Sequence, residues 1–201
     1  MIFSINDGEN IGACPYCSSF LNSTGNLSDG LHNITVYGSN IIGLINYTTA
    51  YFTIDTIYPS ITFENPTDEN NSYADRNWTF VNISILENNF ANATISLFSS
   101  SSVVNSTNFM QVAEFGKYSI NWTELTEGTY YFNATVFDKA GNSNNTETRK
   151  ITIDLMPPSI TNISIFPLIS YPGQNITISY SISDTTLTNS TINITHNGVS
   201  E

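Results

Sequence analysis

Positive charge is scarce in this chain. Five Lys and Arg stand against seventeen Asp and Glu, which leaves a net charge of -12 over 201 residues. Such a surface repels phosphate, and that excludes nucleic acid and anionic membranes as natural partners. Charge of either sign is thin, at 11% of residues, so solubility rests on Asn, Ser and Thr, a bias common in secreted and cell-surface chains. Long apolar runs are missing as well. No stretch approaches the ~18 apolar residues of a membrane span, so no membrane contact by this segment is expected. The opening MIFSINDGENIG has neither a basic n-region nor an apolar h-region. Export and anchoring signals are absent from the sequence as it stands, and an excerpt of a longer exported protein would carry them elsewhere.

Cysteine is limited to Cys14 and Cys17. Cys14-Pro-Tyr-Cys17 has the spacing of a glutaredoxin-type redox pair, but the following SSFLNSTGNLSDG reads as strand and turn, with no helix to lower a thiol pKa. A local disulfide in a surface loop fits better. Zinc would need further ligands, and the two histidines, His32 and His196, belong to other segments. No HExxH, GxSxG or phosphate-cradling glycine loop is present, which moves the weight from catalysis to binding or scaffolding.

What the sequence does contain is a repeat. Thr53 to Thr62, TIDTIYPSIT, returns as Thr152 to Thr161, TIDLMPPSIT, 99 positions later. Repeats of fixed period mark arrays. Each copy alternates like the end of a strand and then meets a proline, which has no N–H for a ladder. The phase divides the chain into residues 1–56, the later part of one unit; 57–155, a complete unit; and 156–201, the early part of a third.

Within the units, apolar residues alternate with polar ones. Predicted core faces are His32, Ile34 and Val36; Val81, Ile83 and Ile85; Ala93, Ile95 and Leu97; Tyr118, Ile120 and Trp122; Tyr130, Phe132, Ala134 and Val136; and Ile151 with Ile153. Trp78 and Phe80 break parity and predict a bulge or a second apolar face. The serine run Ser99 to Ser102 predicts a loop or edge. In the third segment Ile176, Ile178, Tyr180 and Ile182 repeat one core face, and Ile192 and Ile194 another. Asn6-Asp7-Gly8 has hairpin-turn chemistry, echoed by His196-Asn197-Gly198. Six or seven short strands per unit at 8–12-residue intervals, with no helical period, predict an all-β sandwich.

Leu125-x-x-Gly128-x-Tyr130, an alternating strand, Asp138-Lys-Ala-Gly-Asn142, and then Thr152-Ile-Asp154 with Pro157-Pro158 resemble the tandem bacterial immunoglobulin-like repeats of prokaryotic surface proteins and adhesins. The resemblance covers the whole chain. In the first copy, Tyr37-Gly-Ser-Asn-Ile-Ile-Gly43 replaces the Asp-x-Ala-Gly-Asn turn. It implies tandem immunoglobulin-like sandwiches, one complete and two partial, on an extracellular or cell-surface protein. Tyr130 then resembles a tyrosine corner, and His32 takes its place in the first copy. Asp55, Asp138, Asn142 and Asp154 sit at turns and linkers where related repeats bind Ca²⁺; the plainer role of Asp138 and Asn142 is to hydrogen-bond a hairpin turn.

The densest local signal is the Asn-x-Ser/Thr sequon, present about sixteen times against roughly seven expected from composition. Asn33, Asn77, Asn82, Asn121, Asn133 and Asn175 are candidate glycan sites. An outward Asn-apolar-Thr strand spells this motif by alternation alone. The function expected is a spacer or adhesive stalk contacting neighbouring repeats and, in adhesion, cell-surface proteins or glycans. The alternatives are a ligand- or carbohydrate-binding adhesin module using loops such as Asp68 to Asn77, with Tyr73 and Trp78, or an accessory domain of a secreted hydrolase.

Overall fold

The computed structural model describes residues 2–9, 11–12, 25–100, 102–110, 115–196 and 199–200, and among these there is no helix. The first segment forms one antiparallel sheet from β1 (Ile2–Ile5), β2 (Ile11–Gly12), β3 (Gly30–Ser39) and β4 (Ile45–Ile54), in the order β2-β1-β3-β4. Asn6 and Asp7 take positive φ of 52° and 54° after β1, the left-handed pair that a tight hairpin turn demands.

Residues 60–153 build a two-layer sandwich. The strands are β5 (Ser60–Phe63), β6 (Ser72–Ala74), β7 (Thr79–Leu86), β8 (Phe90–Phe98), β9 (Val103–Phe109), β10 (Phe115–Trp122), β11 (Gly128–Asp138), β12 (Ser143–Asn145) and β13 (Arg149–Ile153). One sheet runs β10-β7-β5, the other β6-β13-β11-β8-β9 with β12 beside β11. The chain therefore leaves β5 in one sheet and enters β6 in the other, where β6 pairs parallel with β13. Val81, Ile83 and Ile85 of β7 face Ala93, Ile95 and Leu97 of β8, Phe132, Ala134 and Val136 of β11, and Ile151 and Ile153 of β13, all at 3% exposure or less. Burying each large side chain contributes roughly 1.5–3 kcal/mol, so this layer holds the fold.

The corner before β11 is built alike in both copies. Gly128 (φ 149°) and Gly30 (φ 127°) take a conformation that a Cβ would strain. Two residues on, the Tyr130 hydroxyl donates to the Thr126 carbonyl at 3.0 Å, and His32 Nε2 donates to the Ser28 carbonyl at 2.7 Å. A carbonyl can only accept, so Nε2 carries the proton and Nδ1 accepts from the Asn6 amide at 2.8 Å. His32 is buried and stacks on Phe52 at 5.5 Å. It is a structural substitute for the tyrosine.

Two expectations need correction. Trp78 lies before β7 and not within it, with the Arg76 guanidinium 4.2 Å over its ring, and β7 keeps an unbroken register with β10. No bulge is needed there. The serine run is a loop as expected, with Ser99 N donating to the Ser102 carbonyl at 2.9 Å, and it leads into the edge strand β9. In the third segment, β14 (Ser159–Phe166) and β15 (Thr177–Ser183) pair, and β16 (Thr195–His196) pairs with β17 (Val199–Ser200). Its expected core faces are only partly covered: Ile178, Tyr180 and Ile182 are half-buried in the expected alternation, Ile176, Ile192 and Ile194 are 54%, 48% and 62% exposed, and an apolar cleft of about 480 Å³ runs past Ile160, Ile178 and Ile182. No second layer covers them among the described residues.

Candidate cation site at the Asp55 linker

Asp55 follows the last residue of β4 and opens the linker into the sandwich. Its Oδ1 accepts from Ile57 N at 3.0 Å, which closes an Asx turn, and Thr56 is tied back to Asp29 through both its N–H (2.9 Å) and its hydroxyl (3.0 Å). Pro59 is fully buried, and its carbonyl accepts from Asn144 Nδ2 at 3.0 Å. The linker is thus held at Asp55, Thr56, Ile57 and Pro59.

Asp138 ends β11, where the register with β8 shifts. Its Oδ1 accepts the Asn142 N–H and its Oδ2 the Asn142 amide, both at 2.8 Å, while its own N–H donates to the Asn142 carbonyl at 3.0 Å. The turn role is therefore present. Asn142 does more than close the turn, because its amide also donates to the Asp55 carbonyl at 3.0 Å and to that of Ile57 at 3.4 Å. Glu87, the residue after β7, accepts the Asn89 N–H at 2.7 Å, and the Asn89 amide reaches across to Asp55 Oδ2 at 2.6 Å.

These contacts bring Asp55, Glu87 and Asp138 together, with one oxygen from each within 4.8 Å of the others. Glu87 and Asp138 are 7% and 3% exposed, and none of the ion pairs among the described residues supplies them a Lys or Arg. Three carboxylates with only neutral donors suit a hard cation that takes oxygen ligands, Ca²⁺ above others. A cleft of about 550 Å³, lined by Asp55, Glu87, Asn88, Asn89 and linker residues, opens beside them.

Of the four residues expected at such a site, Asp55, Asp138 and Asn142 converge, and Asp154 does not. Asp154 repeats the role of Asp55 at the next linker. Its Oδ1 accepts from Met156 N at 3.3 Å, its Oδ2 accepts the Thr186 hydroxyl, and Thr186 N donates to Asp184 at 2.7 Å. Glu87 escaped the sequence analysis. The signal that finds it is register: Leu86 pairs with Ser60, and Ser183 pairs with Ser159, so the acids Glu87 and Asp184 occupy one position in two copies.

The other candidates are scattered. Asn77, Asn121 and Asn175 are exposed. Asn33, Asn82 and Asn133 are half-buried, with their amide groups donating to Asp7, the Asn65 carbonyl and Thr148. Cys14 and Cys17 lie outside the described residues.

Three solved structures illustrate the similarity found. Fibronectin(III)-like modules of CbhA from Clostridium thermocellum are 11% identical, over 76% of this chain and 75% of theirs, with a TM-score of 0.40. A tetra-tandem repeat from the extending region of a large adhesion protein is 15% identical, over 90% and 54%, with a TM-score of 0.44. An engineered protein is 17% identical, over 47% and 20%, with a TM-score of 0.37, so the chain spans a fifth of that structure's length and about half of the adhesion repeat's. No curated protein sequence matches the chain. The description that does match is that of the bacterial Ig-like domain, whose family model fits residues 59–155.

Proposed function

We propose that the chain is a structural spacer, or stalk segment, of a bacterial cell-surface protein, in which Ca²⁺ at the Asp55 linker stiffens the joint between successive Ig-like units. The units span residues 1–56, 57–155 and 156–201. One observation carries this: the linker aspartate is gripped by two loops of the following unit, the Glu87–Asn89 loop and the Asp138–Asn142 turn. A joint clasped in this way transmits direction as well as length. The eleven residues of β11 give each unit roughly 35 Å of reach. Domains of this family are usually structural modules without catalysis.

Asp55, Glu87 and Asp138 would hold the ion, which supplies positive charge to three crowded carboxylates. The chain's own groups do the positioning. Asn89 and Asn142 orient Asp55 and Asp138 through their amides, and the Asx turn at Ile57 fixes the linker. Neighbouring repeats are the partners that this arrangement serves. The loop from Asp68 to Asn77, the alternative recognition surface, is braced through Asp68, which accepts from Arg76 at 2.5 Å and Thr79 at 2.6 Å and whose carbonyl accepts from Arg149 at 3.1 Å, while its Tyr73 and the adjoining Trp78 stay 67% and 39% exposed.

The test places spin labels at two exposed positions on either side of the linker, Ser39 and Lys117. A narrow distance distribution in Ca²⁺ that broadens in EGTA is expected. A distribution equally broad in both would refute a stiffened joint.

A further inference from the structure

We propose that the outer face of the first sheet binds a neutral polysaccharide through Tyr37, Tyr47 and Tyr51. Tyr37 on β3 pairs directly with Tyr47 on β4, and their rings lie 5.8 Å apart at 39°. Tyr51 projects to the same side, four residues further along β4, because side chains alternate along a strand. Tyr47 and Tyr51 are 66% and 67% exposed. Between them the exposed Thr49 shares a hydroxyl hydrogen bond at 2.9 Å with the buried Thr35, so the face sets one accessible hydroxyl between its aromatic rings.

The fold does not require these rings. In the complete unit the pair equivalent to Tyr37 and Tyr47 is Thr135 and Asn145, and the residue equivalent to Tyr51 is Lys150. That unit folds around the same β11–β13 ladder without them. Two exposed tyrosines beside a half-buried third, where the neighbouring copy uses small polar or charged residues, are a feature of this copy's surface, and exposed aromatic patches mark contact sites.

Charge selects the partner. β1 to β4 contain no Asp, Glu, Lys or Arg, in a chain whose net charge is -12. An anionic polymer would find no cation on these strands, and the carboxylate that reaches this face, Asp7, already accepts from the Asn33 amide at 3.4 Å. A neutral sugar chain matches it, because the C–H face of a pyranose stacks on an aromatic ring while its equatorial hydroxyls meet threonine and tyrosine hydroxyls. The span from Tyr47 to Tyr51 is about 13 Å at the rise of a strand, close to the length of two to three linked pyranoses.

The experiment is native affinity electrophoresis of the unglycosylated 201-residue chain through gels containing hydroxyethyl cellulose, mixed-linkage β-glucan or soluble starch, with alginate as the anionic comparison. Retardation by at least one neutral polymer is expected. Tyr47→Ala or Tyr51→Ala should each weaken it about tenfold, the double variant should abolish it, and Tyr47→Phe and Tyr51→Phe should retain it. These exposed substitutions leave the thermal melt unchanged, which circular dichroism checks. Free migration through all three neutral polymers, retardation by alginate alone, or full retardation of the double alanine variant would each overturn the proposal.

Discussion

Replacing Glu87 by glutamine should leave the protein more stable than the parent without Ca²⁺ and less stable than the parent with it. At 4.8 Å, two carboxylates repel by about 0.9 kcal/mol in a water-like dielectric and by about 3.5 kcal/mol at an effective dielectric of 20. Asp55 is half-exposed, so pairs that include it lie near the lower figure. Glu87→Gln removes two of the three repulsions and keeps a side-chain oxygen for the Asn89 N–H. In EGTA the variant should therefore be more stable than the parent by about 1–2 kcal/mol, a rise of roughly 4–15 °C in Tm for a unit of this size. In Ca²⁺ at a hundred times its Kd the parent gains about 2.7 kcal/mol, and the variant, short of one anionic ligand, forfeits most of that. The assay is thermal unfolding by circular dichroism in EGTA and in Ca²⁺. A parent Tm that moves by less than about 1 °C, with the variant indistinguishable from it, would refute both the cation site and the repulsion argument.

Three further outcomes are expected. Phe132 is wholly buried and meets Phe63 edge-on at 5.6 Å, so Phe132→Ala should cost about 3–5 kcal/mol in denaturant unfolding; a loss below 1 kcal/mol would contradict the packing described. Tyr118, against Phe109 at 4.9 Å, has its phenol pushed above the usual 10.0 by burial. Above pH 10 the unfolded chain releases that proton while the folded chain keeps it, so stability should fall as pH rises there, and Tyr118→Phe should lessen the fall. In a glycosylating host, peptide mapping should find sugar at Asn77, Asn121 and Asn175 before Asn82 and Asn133, whose amides are engaged; the reverse order would count against the burial pattern.

The sandwich was legible where burial imposes a period. Val81, Ile83 and Ile85 alternate because one face of β7 is sealed, and β8 and β11 obey the same constraint. β9 was not legible, because Val103 and Val104 are 58% and 47% exposed and no buried face disciplines the strand. β6 was hidden for a different reason. It is three residues long and pairs parallel with β13, nearly eighty positions away, and so distant a pairing leaves no local pattern. Trp78 misled through its size: the sequence shows an apolar ring but not the Arg76 guanidinium that covers it.

The site was legible in part, and the missing part follows a rule. Asp55, Asp138 and Asn142 announce themselves through turn chemistry, whereas Glu87 only ends an apolar run. What defines it is a pair of roles, an acid just after the strand and a side-chain donor two residues later. Glu87 and Asn89 fill those roles at one linker, and Asp184 and Thr186 at the next. An amide and a hydroxyl share no letter, yet each donates to the linker aspartate while its own N–H satisfies the acid. Matching residues letter by letter therefore passes over the clasp, and matching donors and acceptors at equal register finds it twice.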